Sequence, residues 1–454
     1  MNALASVGGC ARTCVRRILR LYYPRIEVEG SERIPASGAV LFVANHPNSL
    51  MDPALIGFAT QRPVHFFAKA PLFDVPVFGA LMRALGMVPA YRGQDDKAQV
   101  RKNLETLSVG ADHLRRGEAV GIFPEGKSHD REGVEQVRSG AARIVWPAVK
   151  DGVAVAILPL GLNYERKERF RSSVWVRVGE PMDVGAWLRA RPGEEKAALR
   201  ALTEEIDFRL KQVVVHLNEE RWQPFLTELD VLLPPEGEAA REVIAALRQR
   251  KRLADAMNYF LAADRPRVEA MAAAIEQHRA HLASAGVTMD SPVLRFGLAR
   301  LAGRLLAGAL RSFVGLVPAI AGALHHLIPF VVTRGIVQLV KHPGRTTIAQ
   351  NRLMIGLLIY GLWYGFVWWL LATQTRVWIA WLWTGLMPLA GVTALHYAWR
   401  ARHAWRAWQE LKMILQPAQL RQLRHRQGNL RRQLAELRAE YRQVPVGTKS
   451  QSAA

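Results

Sequence analysis

The chain has 454 residues, and its 61 Lys and Arg residues against 39 Asp and Glu residues give a formal net charge of +22 at pH 7. This length excludes one small domain, and a hydrophobic share of 50% excludes a disordered chain. Such a positive excess favours a polyanion or an anionic membrane surface as partner. The chain has long apolar runs and no recognisable nucleic-acid-binding motif, so we expect a lipid bilayer and no nucleic acid.

Residues 1–24 are predicted to form a basic amphipathic helix that lies on a surface. Arginines interrupt its apolar side, so the segment does not have the continuous apolar core of a cleavable signal peptide. Cys10 and Cys14 are the two cysteines of the chain, and they allow no disulfide framework beyond that one pair. We therefore expect a reducing, cytosolic setting.

Residues 25–220 alternate short apolar runs with amphipathic stretches. This alternation predicts an α/β domain whose mostly parallel central sheet is flanked by helices. The clearest strand is Ala39–Ala44, which ends at Asn45-His46-Pro47 because Pro47 cannot continue a ladder. Further strands are predicted at 26–30, 65–68, 86–92, 120–123, 153–160 and 174–178. Helices are predicted at 54–59, 73–85, 100–116, 139–149 and 194–218.

His46 lies at the carboxyl end of this predicted strand, where open α/β sheets place their ligand crevices. Asp52 follows after five intervening residues, close to the start of the next helical pattern. A carboxylate that folds back onto the imidazole would fix its tautomer and strengthen it as a base. Taken alone, such a pair is more often an ordinary loop contact, so the neighbouring motifs have to decide between the two interpretations.

Three further motifs follow strands of the same predicted sheet, at residues 86–92, 123–126 and 158–161. With the His46–Asp52 motif, their order and spacing resemble the four motifs of the glycerolipid acyltransferase family. The resemblance covers about residues 27–181. The commonest family pattern has one residue fewer between the histidine and the aspartate. The longer spacing resembles the glycerol-3-phosphate/dihydroxyacetone-phosphate acyltransferase branch.

This resemblance implies that His46 is the general base and that Asp52 holds and charges the imidazole. The acyl group would come from an acyl thioester, either acyl-CoA or acyl carrier protein, with no bound cofactor and no metal. The expected acceptor is a small phosphorylated glycerol, glycerol-3-phosphate or dihydroxyacetone phosphate. Two alternatives remain open. One is a lysophospholipid acyltransferase or transacylase, and the other is a basic membrane scaffold without activity.

The resemblance also assigns candidate substrate-binding residues. Arg92 matches the family's phosphate-binding arginine, and Glu125 matches a motif glutamate that holds acceptor hydroxyls or the loop itself. Backbone N–H groups near Gly126 are candidate donors to the oxyanion. Lys69 and Lys127 are secondary candidates for binding the phosphate. The chain reads Lys127-Ser128-His129 where many members have Thr-Arg-Ser, so the family's arginine at that place has no counterpart here.

The second half of the chain is predicted to be helical and to contain a membrane region. Residues 221–300 read as a helical region, 301–400 as a membrane region and 401–454 as a basic helical tail. Within the membrane region, residues 353–375 and 377–399 are long enough to span a bilayer as a hairpin. Residues 312–333 contain two prolines and paired histidines, which favour a re-entrant or interfacial segment. Basic residues flank the hairpin, which predicts the inner membrane with the catalytic domain facing the cytosol.

Overall fold

A computed structural model describes residues 2–90, 97–235, 243–295, 298–340 and 345–445. In it, residues 25–213 build an eight-stranded sheet with helices on both faces. The strands are β1 Arg25–Glu29, β2 Ala39–Ala44, β3 Val64–Lys69, β4 Val88–Ala90, β5 Ala119–Ile122, β6 Val155–Tyr164, β7 Ser173–Val178 and β8 Met182–Asp183. The helices of this part are α1 Asn2–Tyr22, α2 Met51–Ala59, α3 Pro76–Ala84, α4 Lys97–Arg115, α5 Gly140–Lys150, α6 Val184–Arg189 and α7 Glu195–Val213.

The sheet has the strand order β1-β7-β6-β2-β5-β3-β4, with β8 paired to β6. Strand β6 is antiparallel to β7 and β8, and the other pairings are parallel. The predicted α/β class with a mostly parallel sheet is therefore confirmed. Because β2, β5, β3 and β4 are parallel, the loops that follow them emerge at one edge of the sheet.

Strand β2 lies at the centre of the sheet and is buried on both faces. Its residues Val40, Phe42 and Ala44 pack in the core cluster that contains residues of α1 and α2, while Leu41 and Val43 pack in the cluster on the opposite face. A strand with two buried faces reads as a continuous apolar run instead of an alternating one. This explains why β2 was the clearest strand of the sequence.

Strand β6 extends beyond the predicted end of its apolar run, to Tyr164. The extension exists because Leu160–Tyr164 pairs antiparallel with β7. It includes the polar residue Asn163, whose amide donates to the Val213 carbonyl at 3.1 Å and accepts from the Val215 N–H at 2.8 Å. These bonds hold the chain extended after Val213, so α7 ends there and not at the predicted residue 218.

A second core lies among helices beyond the sheet. These helices are α8 Gln223–Leu232, α9 Val243–Ala263, α10 Arg265–Ser284, the short α11 Pro292–Arg295 and the C-terminal α15 Pro417–Gln443. Helix α9 also joins this part to the sheet edge, because Arg248 forms ion pairs with Glu27 and Glu29 of β1. Ile244 and Leu247 of the same helix pack against Trp175 of β7.

Three long helices pack on one another in the C-terminal third: α12 Leu298–Leu339, α13 Arg345–Gln374 and α14 Val377–Glu410. By length and composition, the segments Gly315–Leu339, Arg345–Gln374 and Val377–Arg402 are each apolar enough to cross a membrane. Residues 312–333, which we expect to be re-entrant or interfacial, lie within α12, a continuous helix that contains Pro318 and Pro329 and packs on α13 and α14. How this segment lies relative to a bilayer stays a prediction.

The start of α13 contacts the loops that follow β5 and β6. Arg352 donates to the Glu168 carbonyl at 2.9 Å. Arg345 lies 3.6 Å from an Asp130 carboxylate oxygen and 3.7 Å from one of Glu168. The apolar helices are thus bonded directly to a loop of the α/β domain.

Candidate active site

His46 and Asp52 meet at the carboxyl edge of the sheet. His46 lies two residues beyond the end of β2, and Asp52 is in the first turn of α2, where the helix dipole favours a carboxylate. The His46 Nδ1 atom lies 2.8 Å from Asp52 Oδ2. The Asp52 side chain is fully buried, whereas that of His46 keeps 16% of its surface exposed. The pair is therefore a buried acid that supports a partly exposed imidazole.

The loop between the two residues has the geometry that the five-residue spacing requires. Ser49 has a φ of 46°, in the left-handed region that side chains rarely adopt. The Met51 N–H donates to the Asn48 carbonyl at 3.0 Å, and the Asp52 N–H donates to the Ser49 carbonyl at 3.2 Å. This tight turn brings Asp52 back beneath the imidazole.

The Asp52 carboxylate accepts two further hydrogen bonds. The Asn48 backbone N–H donates to Oδ2 at 2.7 Å, and the Tyr164 hydroxyl donates to Oδ1 at 2.5 Å. Burial raises the pKa of the Tyr164 hydroxyl well above its ordinary value, and the charge of Asp52 raises it further. Tyr164 therefore stays protonated and remains a donor. Three donors on one carboxylate fix both its position and the direction in which it holds the imidazole.

A Tyr164→Phe variant tests this positioning role. We expect kcat to fall by roughly one to two orders of magnitude, since the loss of one hydrogen bond to a charged group is worth about 1.5–3 kcal/mol. Because the Tyr164 hydroxyl contacts Asp52 and acts through it, KM for both substrates should stay native while kcat falls. Initial rates of the two proteins measure this difference between kcat and KM. Native kcat in a folded Tyr164→Phe protein would show that the hydroxyl has no positioning role.

A stacking contact with Phe123 also orients the imidazole. The Phe123 ring stacks on it with centroids 4.0 Å apart and planes inclined by 11°. Since Nδ1 is turned to Asp52, Nε2 is the ring nitrogen that can accept a proton from a substrate.

Asn48 and Asn45 bond the loop after β2 to neighbouring segments of the chain. The Asn48 amide donates to the Tyr23 hydroxyl at 2.8 Å and to the Lys167 carbonyl at 3.0 Å. Asn45 bridges to β6, where it accepts from the Leu162 N–H at 2.8 Å and donates to the Leu162 carbonyl at 3.2 Å. Both asparagines are buried. Their bonds fix the loop that carries His46.

Glu125 has two expected roles, the binding of acceptor hydroxyls and the holding of the loop. Its side chain is completely buried. One carboxylate oxygen accepts from the His46 backbone N–H at 2.8 Å, and the other accepts from the Glu135 N–H at 3.1 Å and lies 3.0 Å from His129 Nε2. A carboxylate with protein partners on both oxygens is placed to join two loops. Of its two expected roles, the geometry favours holding the loop.

Gly126 and Lys127 are also engaged within the loop after β5. Gly126 has a φ of 76°, and its N–H donates to the Phe123 carbonyl at 3.0 Å, so this particular amide closes a turn and does not face a substrate. Lys127 lies 3.3 Å from a Glu135 carboxylate oxygen, with about half of its surface exposed. The Gly126 amide is thus bonded within the loop, the other amides near it stay the predicted oxyanion donors, and Lys127 has Glu135 as an ion-pair partner.

Of the remaining predicted cations, only Lys69 belongs to the described residues. Lys69 ends β3 with an exposed side chain. Arg92 lies outside the described residues, beyond the end of β4. Sequence reasoning missed Arg138, whose exposed side chain lies beside Gly126, where a Cβ would be 3.5 Å from Arg138 Cδ. Its position just before α5 could have marked it, because helix N-termini attract anions.

Comparison with known proteins finds similarity in this part of the chain. Residues 25–163 match the family model described as Acyltransferase. A glycerol-3-phosphate O-acyltransferase of Saccharomyces cerevisiae is 40% identical over 84 residues, which are 18% of this chain and 11% of that protein. The chloroplastic 1-acyl-sn-glycerol-3-phosphate acyltransferase LPAT1 of Arabidopsis thaliana is 30% identical over 141 residues, 30% of this chain and 37% of the relative. The chain thus spans well under two thirds of either relative.

Among solved structures, the chain is similar to the 1-acyl-sn-glycerophosphate acyltransferase PlsC from Thermotoga maritima. The TM-score is 0.33 at 26% sequence identity, over 47% of this chain and 77% of that one.

Proposed function

We propose that this chain, whose residues 25–163 are an acyltransferase-family domain, transfers a fatty acyl group from an acyl thioester to a hydroxyl of glycerol-3-phosphate or dihydroxyacetone phosphate. The observation that carries the proposal is the buried Asp52 carboxylate. It accepts hydrogen bonds from the Asn48 N–H and the Tyr164 hydroxyl, and it lies 2.8 Å from the imidazole of His46. Such a pair is suited to removing a proton from a neutral alcohol, which needs a base at neutral pH.

In this mechanism His46 Nε2 takes the proton of the acceptor hydroxyl while the hydroxyl oxygen attacks the thioester carbonyl. Asp52 stabilises the resulting imidazolium. The tetrahedral intermediate then collapses, the carbon–sulfur bond breaks, and the imidazolium returns the proton to the departing thiolate of coenzyme A or acyl carrier protein. The imidazole is regenerated in one cycle, and neither a metal nor an acyl-enzyme is needed.

The acceptor's phosphate would bind the cations of the carboxyl edge. We propose Arg92 for the principal contact, because a guanidinium forms two parallel bonds to a phosphate. Lys69 at the end of β3 and Arg138 beside Gly126 lie where secondary contacts can form. Glu125 acts through the loops, since it accepts the backbone N–H of His46.

The first acylation step is favoured over the second by the spacing of the catalytic pair. The five-residue loop resembles the branch that acylates glycerol-3-phosphate, and the yeast relative with that activity in its name is 40% identical in the matched region. The second candidate, acylation of a lysophosphatidate, is supported by the LPAT1 similarity over a longer stretch of 141 residues.

We further propose that α13 and α14 seat the enzyme in the inner membrane as a spanning hairpin, with its α/β domain on the cytosolic side. Their apolar segments are of spanning length. The helices before α12 and the helix after α14 share one core, so the chain must return to the side from which it entered the membrane. Arg345 and Arg352 near one end of the hairpin and Arg400 and Arg402 near the other favour the cytosol for both ends.

An acceptor panel tests the proposal. The full chain in lipid nanodiscs is given radiolabelled acyl-CoA or acyl carrier protein thioester, with glycerol-3-phosphate, dihydroxyacetone phosphate, lysophosphatidate or lysophosphatidylcholine. We expect label in lysophosphatidate or in acyl-dihydroxyacetone phosphate. Label only in the diacyl products would move the function to the second candidate. No transfer to any acceptor, with vesicle binding that weakens as salt rises, would instead support a scaffold.

A further inference from the structure

Three side chains that can ligate a metal ion converge at the amino edge of the sheet, opposite the His46–Asp52 site. His65 is the second residue of β3, His113 lies in the last turn of α4, and Glu118 immediately precedes β5. Because β3 and β5 are parallel neighbours, residues at their amino ends lie side by side. One ligand atom from each of the three side chains lies within 4.8 Å of the other two.

A tight turn at the end of α4 positions two of these ligands. Gly117 has a φ of 72°, and its N–H donates to the Leu114 carbonyl at 2.9 Å. The Glu118 N–H donates to the His113 carbonyl at 3.0 Å. This glycine-terminated helix end folds the chain back on the last turn. As a result, Glu118 Oε2 lies 2.6 Å from His113 Nδ1.

A backbone carbonyl orients the third ligand. His65 Nδ1 lies 2.8 Å from the Gly86 carbonyl oxygen, which can only accept, so Nδ1 carries the proton. In the neutral imidazole the lone pair is then on Nε2, which lies 3.7 Å from Glu118 Oε2. The ring also stacks on that of His113, with centroids 3.8 Å apart. A histidine that donates its other ring N–H to a carbonyl is the usual arrangement of a metal ligand.

Arg116 supplies a cation to this cluster. One guanidinium nitrogen lies 2.8 Å from His113 Nδ1 and 3.2 Å from Glu118 Oε2. Because His113 Nδ1 cannot both accept from Arg116 and donate to Glu118, one of its two contacts is unfavourable in either tautomer. A metal ion bound to the lone pairs of Nδ1 and Oε2 would satisfy both atoms. More than half of the Arg116 side-chain surface is exposed, so this side chain can move aside for such an ion.

We propose that His65 Nε2, His113 Nδ1 and Glu118 Oε2 bind one zinc ion, with water in the fourth position. Imidazole nitrogens and a carboxylate oxygen are zinc ligands, whereas Mg²⁺ and Ca²⁺ are bound by oxygen. With bonds of about 2.0–2.2 Å, ligand atoms around tetrahedral zinc are about 3.3 Å apart. The distances from Glu118 Oε2, 2.6 Å and 3.7 Å, bracket this value, so small side-chain rotations complete the site.

The role of this ion is structural, because it joins the amino end of β3 to the carboxyl end of α4. It takes no part in acyl transfer, since it lies at the edge of the sheet opposite His46. The family resemblance predicts no metal, and the proposal departs from that expectation only away from the active site. It does not depend on the proposed catalytic function.

A zinc titration tests the proposal. The full chain in nanodiscs, purified without a histidine tag and freed of metal, competes for Zn²⁺ with a chromophoric chelator. Cys10 and Cys14 are exposed thiols that bind zinc themselves, so every protein compared carries Cys10→Ser and Cys14→Ser. We expect one tightly bound zinc ion per chain and a melting temperature that rises with the free zinc concentration. The absence of a tightly bound ion would overturn the proposal.

Variants of two ligands locate the ion. His113→Gln and Glu118→Gln each remove one ligand and keep a polar side chain. Each should weaken zinc binding at least tenfold, because even the hydrogen-bond partners of ligands are worth about 10- to 100-fold in metal affinity. His281→Gln changes a half-buried histidine of α10 and is the matched control, which should bind zinc like the native chain. Circular dichroism checks folding, and native affinity in either folded ligand variant would refute the site.

Arg116→Gln changes zinc affinity in the opposite direction. It removes the cation that occupies the cluster, so zinc should bind severalfold more tightly than to the native chain. Unchanged or weaker binding would contradict the proposal, because it would place the ion away from Arg116. His46→Ala should bind zinc like the native chain, so a failure of the catalytic proposal would leave this one standing.

Discussion

Replacing His46 with Ala should lower kcat at least about 100-fold and up to about 10,000-fold, the range that a positioned general base contributes. The imidazole has its Nδ1 on a buried carboxylate and its ring stacked on Phe123, and no neighbouring side chain in the described part of the site can take over the proton from the same place. Initial rates with glycerol-3-phosphate and acyl-CoA measure the loss. KM for the acyl donor should change little, because the imidazole is proposed to act on the acceptor hydroxyl and not to bind the donor.

The matched control for this variant is His281→Ala, which removes a half-buried histidine of α10. It should retain native turnover. Thermal unfolding of both variants separates lost chemistry from lost folding, since the partly exposed His46 ring should cost little stability. Native turnover in a folded His46→Ala protein would refute the proposed mechanism.

Asp52→Asn should reduce kcat by about 1,000- to 10,000-fold, because an amide holds the imidazole in the wrong tautomer and cannot stabilise the imidazolium. The change is nearly isosteric, so the loop keeps its shape. However, the new NH₂ group replaces one carboxylate oxygen and faces a donor that this oxygen satisfied, either the Asn48 N–H or the Tyr164 hydroxyl. We therefore also expect destabilisation of about 1–3 kcal/mol, the cost of buried groups left without partners.

Asp112→Asn is the control for Asp52→Asn, because Asp112 is an exposed carboxylate that pairs with Arg115 on the surface of α4. Its turnover and melting temperature should match the native protein. If Asp52→Asn kept more than a tenth of native kcat, Asp52 would be a structural residue of the loop and not the partner of a catalytic base.

The central strands and the contact between His46 and Asp52 could be predicted, because each depends on a short stretch of sequence. Strand β2 is a continuous apolar run, and Pro47 marks its end, so His46 could be placed at the carboxyl edge from sequence alone. The Asp52 contact depends only on a turn of a few residues. Parallel order then explains why the third motif lies beside the first.

Features that depend on tertiary pairing were not visible in the sequence. Tyr164 reaches Asp52 only because β6 continues along β7, and no local pattern announces that extension. The burial of Glu125 likewise results from two loops that meet in space. For α12, the sequence did not show that both prolines lie inside one continuous helix that packs on α13 and α14.

The bond between Arg352 and the Glu168 carbonyl has a consequence for how the proposed product would leave. Glu168 belongs to the same short loop as Lys167, whose carbonyl accepts a hydrogen bond from the Asn48 amide next to Asp52. If α13 crosses a bilayer, these bonds hold the imidazole at a fixed height above the leaflet. The acylated product then moves laterally into the lipid while its glycerol end still faces water, without a carrier protein.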